Sequence, residues 1–182
     1  MLVLASLDGG AYAHDRTDGR ERWRFDSSVA VGGAPALGDE GETAYLGTVD
    51  GGRVVAVSAV SGHVRWRAET GARIWASPTL ADGTVVVGSG DGAVYAFDAD
   101  DGREVWRVDT GARIWASPTV ADGTVFVGND AGDVYAIARE DGTVRWCYRA
   151  QGAVVAPAAV ADATAYVADR GGVVYALSKD TA

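Results

Sequence analysis

Apolar positions fall into short runs rich in valine and aromatic residues, broken by glycine-aspartate turns. Over one stretch, residues 74–80, 84–88, 93–98 and 104–108 read as four strands, with Ala-Asp-Gly, Ser-Gly-Asp-Gly and Asp-Asp-Gly as the hairpin turns between them. That is an antiparallel meander. The second strand of each such unit, TAYLG, TVVVG, TVFVG or TAYVA, is apolar on consecutive residues instead of alternating. Both faces of each small sheet must therefore be covered, and stacking the sheets face to face does this.

The pattern repeats with a period of 40. Residues 71–88 and 111–128 are identical at 16 of 18 positions, and the full 40-residue blocks agree at 23. Trp66, Trp106 and Trp146 recur in step, as do Tyr95, Tyr135 and Tyr175. An earlier unit at Tyr12-Ala13 and Trp23 is displaced by 43, which places small insertions near Glu40 to Glu42 and at Arg53. Roughly 40 residues per four-stranded unit is the length of a β-propeller blade. The one segment that resists is 153–170, Gly-free and Ala-rich, which alone could pass for a helix. Its register with two strand-forming repeats, and Pro157 inside it, override that propensity.

Val outnumbers Leu by 26 to 7, as strands prefer, so composition supports the same all-β reading. Met1 to Asp15 aligns without gaps on Thr84 to Asp98, and Ala182 falls on Gly142. The count is about four and a half units in one domain over residues 1–182. The expectation is an incomplete propeller that self-associates, pairing with another copy to complete its ring.

Two segments, Ala13-His-Asp15-Arg-Thr-Asp18-Gly19-Arg-Glu-Arg-Trp23 and Ala96-Phe-Asp98-Ala-Asp-Asp101-Gly102-Arg-Glu-Val-Trp106, resemble the tryptophan-docking motif of the pyrroloquinoline quinone (PQQ)-like propeller repeats. Two others keep Ala, Gly62 or Gly142, and Trp66 or Trp146, but carry Ser58 and Ala138 where the family has Asp. The resemblance implies that Trp23, Trp66, Trp106 and Trp146 lie flat between blades and close on the backbone of the docking glycines Gly19, Gly62, Gly102 and Gly142. WD40 repeats have a similar length but need Trp-Asp; here each docking Trp is followed by Arg or Cys.

A formal charge of -9 repels phosphate backbones and anionic headgroups, so nucleic acid is not an expected partner. No segment approaches the roughly 20 apolar residues of a membrane-spanning helix. Met1 to Leu7 lacks a basic start and runs into Asp8-Gly9-Gly10, so it does not read as a secretion signal. A lone Cys147 and two histidines, His14 and His63, leave no disulfide and no zinc set.

Candidate chemistry is sparse. Gly88-Ser-Gly90-Asp-Gly-Ala93 fits the dinucleotide pattern G-x-G-x-x-[GA], but no helix pattern follows to cradle a pyrophosphate. Asp98, Asp100 and Asp101 crowd one turn without the closing bidentate Glu of a calcium loop. No nucleophile is matched to a base, and no catalytic, metal or cofactor site is expected. The quinone enzymes that share this repeat use calcium ligands, a catalytic carboxylate and often neighbouring cysteines, none of which a motif identifies here. The remaining candidate is Arg73-x-Trp75 with Arg113-x-Trp115, read as lying at the start of the first strand in two successive units. Residues two apart on a strand share a face, so each Arg would sit beside its own Trp as a partner-binding or ligand-binding surface. The functional expectation is a non-catalytic scaffold for protein partners, as in related propellers that help assemble outer-membrane proteins or serve as sensor domains attached to kinases. The alternative is a small-ligand or quinone-binding propeller.

Overall fold

The computed structural model describes residues 1–38 and 41–179, and the described residues contain strands and turns but no helix. Among the described residues, eighteen strands form five antiparallel sheets. The first holds β1 (Leu2–Ala5), β2 (Gly10–His14) and β3 (Glu21–Asp26); the second holds β4 (Val31–Leu37), β5 (Thr43–Thr48), β6 (Arg53–Ser58) and β7 (Val64–Glu69). The third holds β8 (Thr79–Ala81), β9 (Thr84–Gly88), β10 (Ala93–Asp98) and β11 (Glu104–Asp109), and the fourth β12 (Thr119–Ala121), β13 (Thr124–Gly128), β14 (Asp133–Ala138) and β15 (Val144–Arg149). The fifth is β16 (Ala159–Ala161), β17 (Thr164–Ala168) and β18 (Val174–Ser178). Strands follow one another in chain order within every sheet, so each is a meander. Five successive meanders are the arrangement expected of propeller blades.

Segment 153–170 is not helical: it carries β16 and β17. The expected first strand over 74–80 is corrected, because only Thr79–Ala81 joins the ladder. The backbone before it is engaged elsewhere: Ile74 N–H donates to Thr48 O of the second sheet (2.9 Å), and Arg73 O accepts from Gly90 N–H (2.9 Å). Pro78 has no N–H to offer a ladder. Of the expected insertions, Glu40 lies outside the described residues, as does Ala182.

Interior strands are covered on both faces. Every residue of β9 and β13 is buried, whereas β17 alternates. The core is divided among four seams, each built from two neighbouring sheets: Tyr45, Val54 and Trp66 of the second sheet, for example, pack with Val85, Val87 and Phe97 of the third. Stability is therefore a chain of neighbour-to-neighbour terms, as in other repeat folds.

Candidate functional site

The seams are built around the four expected tryptophans. In each of the first four sheets the last two strands slip register just beyond an Ala-Trp pair: Ala13 with Trp23, Ala56 with Trp66, Ala96 with Trp106 and Ala136 with Trp146. Such a bulge re-aims the strand that carries it. The indole then reaches the next sheet, where Nε1 donates to a backbone carbonyl: Trp23 to Ala59 (2.7 Å), Trp66 to Ala99 (2.9 Å), Trp106 to Arg139 (2.6 Å) and Trp146 to Lys179 (3.1 Å). For Trp23, Trp66 and Trp106 the acceptor lies three residues before the docking glycine, so the glycine is not the hydrogen-bond partner. Instead it makes room for the ring: a Cβ on Gly62, Gly102 or Gly142 would stand 2.9, 2.6 or 3.0 Å from Trp23, Trp66 or Trp106. Gly19 differs, with nothing within 4 Å of its Cβ position and no indole brought against it.

The Arg and Trp candidates lie before β8 and β12 rather than in them, which corrects the expected strand placement. Strict alternation does not apply to that irregular backbone. Among the described residues the guanidinium groups found over rings are Arg24 on Tyr12 (4.8 Å) and Arg107 on Tyr95 (5.1 Å), not Arg73 or Arg113 on their own tryptophans. What the structure brings together is Arg73 of one repeat with Arg113 and Trp115 of the next. They line a cavity of about 290 Å³ with Ala72 and Gly90. Trp75 is 38% exposed and is not among its lining residues; its backbone packs instead on Gly32, whose Cβ would stand 3.3 Å from the Trp75 Cα.

Both arginines are exposed, and neither guanidinium has a hydrogen-bond or ion-pair partner among the described residues. The nearby carboxylate is already occupied. Asp91, beside Gly90, accepts from Tyr95 O–H (2.5 Å), Gly71 N–H (2.8 Å) and Ala93 N–H (2.9 Å). Burial pushes its carboxyl up, but these donors outweigh that and hold it below the usual carboxylate range. Two uncompensated cations and the Trp115 side chain thus line one cavity of an acidic molecule. The site can hold an anionic group against an aromatic surface.

Sequence reasoning missed the polar links along the first strands. Ala34 N–H donates to Ser77 Oγ (2.8 Å) and Ser77 N–H to Ser117 Oγ (2.9 Å), while Thr79 Oγ1 donates to Pro118 O (2.6 Å) and Thr119 Oγ1 to Ala158 O (2.8 Å). The repeated Ser-Pro-Thr at 77–79 and 117–119 was the available signal. Elsewhere, the dinucleotide-like 88–93 segment closes as a turn, with Gly92 N–H donating to Ser89 O (3.1 Å). Among the described residues no group of three or more His, Cys, Asp or Glu could hold a metal ion, and no helix is long and apolar enough to cross a membrane. Cys147 is exposed and, as the one cysteine of the sequence, is free.

The family model described as outer membrane protein assembly factor BamB matches residues 7–113 and 90–182. The fold is similar to that of BamB from Moraxella catarrhalis, with a TM-score of 0.85 and 24% identity over 97% of this chain and 54% of that one. It is equally similar to quinohemoprotein alcohol dehydrogenase from Comamonas testosteroni, at 0.85 and 18% identity over 98% of this chain and 39% of the enzyme. Serine/threonine-protein kinase AfsK of Streptomyces griseus is 34% identical over 85 residues, 46% of this chain and 10% of the kinase. The chain thus spans about half of the BamB structure and a tenth of the kinase.

Proposed function

Because this chain belongs to the outer membrane protein assembly factor BamB family of PQQ-like propellers, we propose that it is a non-catalytic scaffold that binds protein partners. The observation that carries this reading is the cavity where Arg73, Arg113 and Trp115 converge. Arg and Trp are the residue types that dominate interface energetics, and here both cations are uncommitted. The chemistry that such a site recognises is an acidic or carboxylate-bearing segment flanked by an apolar side chain. No matched nucleophile and base, and no metal-ligand cluster among the described residues, argues for turnover. The test is affinity capture with the parent chain and with an R73A/R113A variant. Specific partners retained by the parent and lost by a folded variant support the scaffold; equal capture by both removes the site from it.

A second reading is favoured by the concavity of the same site and the likeness to the quinohemoprotein: a small anionic aromatic ligand. Thermal unfolding with PQQ, with and without calcium, separates the two. A ligand at 100 times its dissociation constant stabilises by roughly 2.7 kcal/mol, a rise of about 2–4 °C per kcal/mol for a chain of this size. A rise that disappears in R73A/R113A supports this second reading, and no rise counts against it.

A further inference from the structure

In two successive seams the chain's own cations bind the threonine and aspartate at the start of a second strand. Arg139, whose carbonyl accepts from Trp106, sends its side chain back to the third sheet, where Nη2 meets Asp82 Oδ2 (3.3 Å) and Nη1 donates to Thr84 Oγ1 (3.4 Å). One seam later Lys179 receives Trp146 and reaches Asp122 (2.7 Å), while Arg145 Nη1 donates to Thr124 Oγ1 (2.5 Å). Thr84 opens β9 and Thr124 opens β13, and both are buried. Each hydroxyl therefore accepts from a guanidinium.

The seam between the second and third sheets lacks this arrangement. Ala99 stands where Arg139 stands: its N–H donates to Gly83 O (2.9 Å) as Arg139 N–H donates to Gly123 O (3.0 Å), and its carbonyl accepts from Trp66 (2.9 Å). Thr43 opens β5 as Thr84 opens β9. It is only 7% exposed, yet its hydroxyl has no hydrogen-bond partner among the described residues. Arg65, which precedes Trp66 as Arg145 precedes Trp146, is turned to Glu42 instead (3.9 Å). With a methyl at position 99 in place of a guanidinium, a cavity of about 320 Å³ is left, lined by Glu42, Thr43, Arg65, Leu80, Ala99 and Asp100 among others. Two carboxylates share it with one cation, and Leu80 supplies an apolar wall.

We infer that this cavity is a binding site for an alkylguanidinium group supplied from outside the chain. The guest donates to Thr43 Oγ1 and to a carboxylate, as Arg139 does to Thr84 and Asp82, and lays its alkyl stem along Leu80. A planar fork of donors can serve a hydroxyl and a carboxylate together, whereas an ammonium is a compact point charge. The next seam divides the work in that way, with Lys179 on Asp122 and Arg145 on Thr124. The chemistry recognised is that of arginine, free or within a polypeptide. The site shares no lining residue with the Arg73, Arg113 and Trp115 cavity and does not depend on the role given to it.

The test is a titration of the 182-residue chain, followed by amide chemical shifts, with L-arginine, with the capped peptide acetyl-Gly-Arg-Gly-amide and with L-lysine. The expected result is saturable shifts at Thr43, Gly83 and Asp100 with an arginine probe, and binding about tenfold weaker or less with lysine. Saturation by the capped peptide assigns the group to a polypeptide; saturation by the amino acid alone assigns it to free arginine. Thr43→Val keeps the shape and removes the unpaired hydroxyl, so it leaves the fold intact and weakens binding about tenfold. Ala99→Arg gives the cavity its own guanidinium, as position 139 has, and abolishes saturation. Where Ala99→Arg loses its dispersed spectrum, Thr43→Val decides alone. Linear, non-saturating shifts in the parent overturn the inference, as do equal affinity for lysine and binding undiminished in either folded variant.

Discussion

The Trp66 indole lies across Gly102 so closely that a Cβ on that glycine would stand 2.6 Å from the ring. Gly102 also has a left-handed backbone, φ +75°, while Gly19 shares the conformation (φ +71°) but faces open space. The pair separates strain from docking. Gly19→Ala carries only the conformational cost, about 1–2 kcal/mol. Gly102→Ala adds overpacking against an aromatic ring, typically about 1–3 kcal/mol more. Urea unfolding of the two variants checks this, and equal losses would show that the ring gives way freely.

Removing the ring itself costs more. Trp66 is buried and donates to Ala99 O, so Trp66→Ala loses roughly 3–5 kcal/mol. Trp66→Phe keeps most of the apolar contact and drops only the N–H. The Ala99 carbonyl still accepts from Tyr45 O–H (3.2 Å), so that variant loses about 1 kcal/mol. At Trp23 the carbonyl of Ala59 has no such second donor among the described residues, and Trp23→Phe is expected to cost more than Trp66→Phe. Chemical denaturation of the three variants beside the parent ranks these losses.

Much of this was legible because the seam residues repeat. Trp, Gly and the Val-Tyr-Ala strands recur at one period, and their spacing placed strands 84–88 and 93–98 as observed. What could not be read was anything that depends on the neighbouring sheet. The segment before β8 has strand composition, yet its backbone bonds go to Thr48 and Gly90, so Arg73 faces Arg113 and Trp115 instead of Trp75. Propensity describes a residue's own strand; a seam is set by two.

Acid should loosen the seam near the cavity. The Asp91 carboxyl is held low by its donors despite burial, so its stabilising contribution is complete above the ordinary carboxylate range and fades as pH falls through the folded value. The stability gap between the parent and Asp91→Asn is therefore expected to narrow below about pH 4. Tyr95 behaves oppositely: burial first, then donation to Asp91, pushes its hydroxyl up. Its contribution persists at neutral pH and fades as pH rises above about 10. Tyr95→Phe should lose that alkaline dependence, which denaturation across the two pH ranges would reveal.

The repeat also predicts how unequal two equivalent residues are. Phe126 in the fourth sheet is fully buried and its ring lies 5.9 Å from that of Trp146, whereas Tyr166 holds the same place in the fifth sheet and is 43% exposed. In a dilute single chain Phe126→Ala opens a seam and costs about 3–5 kcal/mol. Tyr166→Ala removes a ring with no sheet over it and changes stability by about 0.5 kcal/mol or less. Urea unfolding of the two variants beside the parent checks this, and a Tyr166→Ala loss as large as that of Phe126→Ala would show that the Tyr166 ring is held as firmly as the buried one.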